Sequence, residues 1–309
     1  MRRAKPQPPL PHGATRVGFH ELMQLRATAS HIDANTPDAV AGLFSGLHRA
    51  QYRGRGLEFD EVRAYLPGDD YRALDWRVTA RSGTLHTKVF HEERERTLYL
   101  IIDASPSMHF GTRHCFKWVL AARTAALFAW LEIANGDRVG GVVFGEGHRC
   151  LTTGTGGGEA AATRLFRLLS EVQHGREGGH RSRLSDALDH VRHHAPPGNA
   201  ILILSDFQNL GDGVNERLAA LARYQQFAAI LIHDPLEARL PHAGPLCFTD
   251  GRQQVTLDAH SARLRADFEA QFQTHMEKTH RLFRRYGIPL LTLETAEPWP
   301  ETLVRRLRP

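Results

Sequence analysis

Five short apolar runs recur through the last two thirds of the chain: LYLII (Leu98–Ile102), RVGGVVF (Arg138–Phe144), AILIL (Ala200–Leu204), FAAILI (Phe227–Ile232) and PLLTL (Pro289–Leu293). Each is strand-length and apolar at successive positions, so both faces of the strand it forms need covering. The spacers between them read as helices, at Cys115–Asn135, Glu159–Val172, Ser185–His194, Val214–Tyr224 and His260–Tyr286, with a closing helix at Trp299–Leu307. Buried strands alternating with helices predict an α/β fold with a doubly wound, mostly parallel sheet. The segment LCFTDGRQQVTLD, with an Asp-Gly turn between two β-prone runs, predicts a hairpin. No internal repeat is visible.

The first 95 residues have a different rhythm. Residues 1–15 are basic and proline-rich and read as a disordered tail. Residues 16–95 read as a helix over Gly18–Thr28 followed by a β-rich appendage, in which LEFDEVRAY and TLHTKVF alternate with turns such as Pro67–Asp70. Residues 96–309 are then the α/β domain.

Composition removes several function classes. Three cysteines among 309 residues, Cys115, Cys150 and Cys247, have no paired spacing, which excludes a thiolate zinc site or a disulfide framework and fits a reducing compartment. The N-terminus has no apolar core behind its basic residues, so no signal peptide is expected. The longest apolar stretch, Trp118–Ala134, carries Arg123 and Glu132 and is too short and too charged to span a bilayer. A soluble, cytoplasmic protein is the expectation. Net charge is +5, but arginines lie beside acids along the whole chain, so a dedicated nucleic-acid arm is not expected.

Two strand ends carry the chemistry. LYLIID stops at Asp103, and Ser105 and Ser107 follow at alternate positions; AILILSD stops at Asp206. In doubly wound sheets ligands sit at the carboxyl ends of strands, so the two carboxylates are candidates to converge across a hundred residues of sequence. Carboxylates joined by hydroxyls suit a hard cation, Mg²⁺, Mn²⁺ or Ca²⁺. For Asp103 alone, capping of the next helix explains the residue equally well; the alternation and the second strand end favour a metal.

These residues carry a resemblance. DASPSM, Asp103 to Met108, resembles the first loop of the metal-ion-dependent adhesion site of von Willebrand factor A domains. Upstream, Gly54, Gly56, Glu58, Phe59, Arg63, Tyr65, Pro67–Asp70, Asp75, Trp76, Ala80 and Arg81 match the hallmark of the A-like proteins called domain of unknown function 58 (DUF58). The resemblance runs over roughly residues 45–235. It implies a metal site of Asp103, Ser105, Ser107 and Asp206, with a second-loop hydroxyl. SRLSDAL places Ser182 where the family has threonine, with Ser185 and Thr155 as alternatives. It further implies a non-enzymatic adaptor or co-chaperone of a MoxR-type AAA+ ATPase, whose acidic residue, or its client's, would complete the coordination.

Other signals are weaker. A metal-dependent phosphatase or nuclease using the same aspartates is the alternative, but a D-x-D phosphatase needs a carboxylate where Ser105 stands. A basic nucleic-acid binder ranks third. GTGGGEAAATR lacks the lysine of a P-loop and reads as a flexible loop before a helix. HEERE has glutamate where a zincin needs histidine, and no G-x-S-x-G elbow is present. His190, His193 and His194 read as exposed residues of one helix. The charges from Arg63 to Arg81 read as a self-satisfied network or, alternatively, as a contact surface.

Overall fold

The computed structural model describes residues 12–35, 43–44, 58–65, 71, 74–91, 96–145, 149–172, 182–249 and 254–307. The chain divides into two units, Arg49–Arg96 and Met1–His48 with Thr97–Pro309.

In the smaller unit β1 (Glu58–Ala64) pairs antiparallel with β2 (His86–His91). A helix that the sequence reading lacked, Trp76–Ser82, lies between them. Its start and stop are local: the N–H groups of Arg77 and Val78 donate to Asp75 Oδ1 (3.0 and 3.1 Å), and Gly83 closes it at φ 72°. The Asp75–Trp76 pair of the family hallmark is thus a helix cap and the first residue it caps. Gly54, Gly56, Pro67–Asp70 and Arg72 lie outside the described residues, as do the side chains of Glu58, Phe59 and Arg63. The charge block from Arg63 to Arg81 is accordingly described only at Asp75, Arg77 and Arg81.

The larger unit holds a six-stranded sheet built from β3 (Thr97–Asp103), β4 (Arg138–Phe144), β5 (Leu151–Gly156), β6 (Ala200–Ser205), β7 (Gln226–His233) and, after a separate hairpin of β8 (Pro245–Thr249) and β9 (Gln254–Asp258), β10 (Leu290–Glu294). Its order is β10-β7-β6-β3-β4-β5, parallel throughout except for the β4–β5 pair. This is the expected mixed α/β architecture with a mostly parallel sheet. The β8–β9 hairpin is as expected too; its Asp250–Gly251 turn lies outside the described residues.

Every residue of β3 and β6 is buried, and alternate side chains feed two cores. Leu98, Leu100 and Ile102 point to the face covered by the Lys117–Ala134 helix, while Tyr99 and Ile101 point to the face covered by the Leu184–His194 and Val214–Leu221 helices. The Lys117–Ala134 helix is apolar nearly all round because the Phe19–Asn35 helix covers its other side; Trp130 Nε1 donates to Leu22 O there (3.1 Å) and Arg123 pairs with Glu21. The N-terminal helix, grouped by sequence with the appendage, therefore packs as part of the α/β unit. Residues 12–15 of the expected tail are likewise a helical turn, with Ala14 buried and its carbonyl accepting from Phe116 N–H. Residues 1–11 lie outside the described residues.

A further element departs from expectation. LTTGTG, whose last three residues open the GTGGGEAAATR stretch read as a flexible loop, is the antiparallel edge strand β5. Glycines and exposed threonines hide such a strand from an apolar pattern.

Candidate metal centre

The strand order reverses at β3: the chain runs outward through β4 and β5, then returns to place β6 on the other side of β3. The crevice at the carboxyl end of β3 is the topological switch point, where this class of sheet binds ligands. The register pairs Ile102 with Leu204, so Asp103 is level with Ser205 and Asp206 is the next residue. Two acids distant in sequence thus meet because two apolar strands are in parallel register.

Asp103 is fully buried. Its Oδ1 accepts from Ser105 N–H (2.8 Å) and its Oδ2 from Ser205 Oγ (2.5 Å). Burial pushes its carboxyl up to about 7, the charge of Asp206 pushes the same way, and hydrogen bonds from Ser105 and Ser205 offset only part of this. Asp206, also buried, accepts from Gln208 N–H at Oδ1 (3.0 Å). The backbone is bent sharply just after it: Phe207 is buried at φ 58°, a left-handed conformation that costs a non-glycine residue roughly 1–2 kcal/mol. Its N–H bond to Ser205 Oγ (2.8 Å) and its edge-to-face packing on Phe283 hold it there.

Of the hydroxyls, Ser105 Oγ and Ser107 Oγ lie 3.2 Å apart on the loop following Asp103. Ser182 is buried on the adjoining loop, where its Oγ accepts from Gly145 N–H (3.0 Å) and donates to Gly145 O (3.2 Å). Gly145 in turn lies against the Ala104 backbone so closely that a Cβ there would be 2.7 Å from Ala104 C. Ser182 therefore braces the Asp103 loop through Gly145. Of its alternatives, Ser185 faces Gly211 in the loop after Asp206. Thr155 sits opposite Gly140, which pairs with Tyr99, four residues before Asp103 and toward the other end of the sheet.

Two residues that sequence reasoning missed complete the cluster. Lys117, the first residue of the Lys117–Ala134 helix, is fully buried, and its Nζ donates to Asp206 Oδ2 (2.8 Å) and to Glu237 Oε1 (2.5 Å). Burial lowers its pKa, but the two carboxylates outweigh burial and hold the ammonium above its usual value. Glu237 is itself fixed, because its Oε2 accepts from Asp234 N–H (2.9 Å) across a short capped turn, Pro235–Ala238. The signal in the sequence was a lysine opening an otherwise apolar helix in CFKWVL.

No group of three or more His, Cys, Asp or Glu is gathered as a metal site among the described residues. The candidate donors are two carboxylates plus hydroxyls, a set whose chemistry fits a hard divalent cation and not a soft one. Ser107 also lines a cavity of about 820 Å³ walled by Phe110, Trp118, Phe248 and Phe268, so the site borders open space.

Comparison with known proteins bears on family. The family model "Protein of unknown function DUF58" matches residues 61–278. The chain belongs to the DUF58 family. An uncharacterized protein of Mycobacterium tuberculosis (strain H37Rv) is 30% identical over 283 residues, covering 91% of this chain and 88% of its own length. A counterpart in Mycobacterium bovis matches to the same extent. Among solved structures, the conserved hypothetical protein BatB of Bacteroides thetaiotaomicron aligns with 69% of this chain and 97% of its own at 15% identity and a TM-score of 0.45. The span matched by the DUF58 model contains Asp103, Ser105, Ser107, Lys117, Ser182, Asp206 and Glu237. Among the described residues no helix is long and apolar enough to cross a membrane.

Proposed function

We propose that this DUF58 protein is a von Willebrand factor A-like, cytoplasmic, non-enzymatic interaction module that binds a partner through a divalent cation, Mg²⁺ or Mn²⁺ in the first instance, at a metal-ion-dependent adhesion site. The observation that carries the reading is the convergence of Asp103 and Asp206 at the switch point, close enough that the charge of one raises the pKa of the other. Lys117 answers Asp206 but is not bonded to Asp103, and a second anion in a buried crevice is costly unless a further cation answers it. Asp103, Asp206 and the hydroxyls of Ser105 and Ser107 would hold the ion, with Ser182 as the second-loop hydroxyl.

Hydrolysis is disfavoured by the donor set. The D-x-S alternation supplies Ser105 where a phosphatase has its proton-transferring acid, and the nearby Glu237 is engaged with Lys117. The ion would then accept a carboxylate from outside, and by family resemblance its source is a MoxR-type AAA+ ATPase or that ATPase's client.

The test is capture of the cognate ATPase by wild type and Asp103→Ala, with Mg²⁺ and with EDTA. Capture that needs both the metal and Asp103 supports the reading; a complex indifferent to EDTA overturns it. Turnover of a generic phosphoester that disappears in Asp103→Ala would make the site hydrolytic instead.

A further inference from the structure

The structure assigns Lys117 as an internal cation that competes with a divalent ion for Asp206, and Glu237 as the carboxylate that keeps the ammonium when it yields. The inference rests on the metal reading above and specifies what controls it.

The geometry is specific. Lys117 Nζ reaches Asp206 Oδ2 at 2.8 Å and Glu237 Oε1 at 2.5 Å, so one ammonium bridges two acids. The lysine is fully buried and the Asp206 side chain nearly so, whereas the Glu237 side chain is 28% exposed. The two partners are therefore unequal: Asp206 belongs to the closed crevice, and Glu237 opens outward. A cavity of about 380 Å³, lined by Lys117, Asp206, Glu237, Gln271 and His275, gives the side chain room to leave Asp206 without losing Glu237.

Charge explains why such a residue would be there. Asp206 Oδ1 accepts one bond, from Gln208 N–H, while Oδ2 is held by Lys117, so an ion that binds through Oδ2 must displace the ammonium. The ammonium bonded to Asp206 lets that carboxylate stay buried without metal. Its withdrawal exposes a carboxylate oxygen for coordination. Hydrogen bonds to charged groups correspond to roughly 10- to 100-fold in an equilibrium constant, which sets the expected cost of displacing the ammonium. Glu237 lowers that cost because the ammonium never lacks a counter-charge. Its placement is built in: Asp234 N–H fixes one Glu237 oxygen while the other faces Lys117.

Mn²⁺ binding, read by calorimetry and by the spectrum of the bound ion, tests this on the full chain. Lys117→Met should bind Mn²⁺ about tenfold or more tightly than wild type. Glu237→Gln should bind it more weakly, because Lys117 then has only Asp206. In Lys117→Met/Glu237→Gln the effect of the glutamine should largely vanish, a coupling that loss of a distant negative charge would not produce. Equal or weaker binding by folded Lys117→Met, with wild type binding normally, overturns the competition and leaves the metal reading intact. If Lys117→Met does not fold, Lys117→Gln takes its place alone and with Glu237→Gln: tighter binding with the glutamine effect at position 237 abolished supports the assignment, and equal or weaker binding overturns it. Binding by Lys117→Met alone, with none by wild type, supports the lysine's role and overturns the wild-type metal reading. No binding by any of these proteins overturns both.

Discussion

Asp103 and Asp234 invite comparison, because both are fully buried acids at the carboxyl ends of strands in the same sheet. Asp234 is saturated. Thr112 N–H and Thr295 Oγ donate to its Oδ2, and Thr112 Oγ and Leu236 N–H donate to its Oδ1. Asp103 has Ser105 and Ser205 as donors, and an anion, Asp206, as its neighbour. The first carboxylate is used up in tying three segments together. The second is left with its charge incompletely answered. Burial and position alone do not separate a structural acid from a binding one; the count of fixed donors and the sign of the nearest charge do.

The largest effect expected from this contrast is on folding. Asp234→Ala leaves the donors of Thr112, Leu236 and Thr295 without their acceptor, so it should destabilise the protein by about 3–5 kcal/mol. Asp103→Ala should cost much less stability without metal and should abolish Mg²⁺ binding. Urea melts paired with calorimetry check both; a severe folding defect in Asp103→Ala alongside a mild one in Asp234→Ala would reverse the roles assigned to the two acids.

A second, smaller effect depends on pH. The Asp103 carboxyl is raised to about 7 in the folded protein, so the folded state holds its proton more tightly than the unfolded chain does. The resulting stability is fully present below the unfolded value of about 4 and is lost as pH rises through about 7. In EDTA, wild type should therefore weaken from pH 5.5 to 8.5 relative to Asp103→Asn, by about 2 kcal/mol at one pKa unit per 1.36 kcal/mol. Mg²⁺ should restore wild type at pH 8.5 and leave Asp103→Asn unmoved. A gap between the two proteins that is constant with pH would show that the Asp103 carboxyl does not titrate in that range.

Much of this was legible in the residues. β3, β6 and β7 are apolar on both faces and announced a covered parallel sheet; parallel register then made the meeting of Asp103 and Asp206 foreseeable. β5 was not legible, since an edge strand of threonine and glycine has no apolar face to show. The Trp76–Ser82 helix is only seven residues long, and its signals, Asp75 before it and Gly83 after it, resemble those of a turn. The Lys117–Asp206 and Lys117–Glu237 contacts span 89 and 120 residues, and no local pattern encodes a pairing at that range. Only the oddity of a lysine in an apolar helix hinted that it had a buried partner.

The smallest effects separate the second-loop hydroxyls. Ser182 bridges both polar groups of Gly145, so Ser182→Ala should cost about 1 kcal/mol of stability and weaken Mg²⁺ binding, whether the hydroxyl acts on the ion or only braces the Asp103 loop. Ser182→Thr keeps the hydroxyl and should restore both. Thr155, exposed and four residues from the level of Asp103, should be silent: Thr155→Val should change stability by less than about 0.5 kcal/mol and leave metal affinity as it was. Loss of Mg²⁺ binding in Thr155→Val with Ser182→Ala unaffected would mean that the Asp103 crevice is not where the ion sits. The contrast between Asp103 and Asp234 would then need an explanation other than coordination.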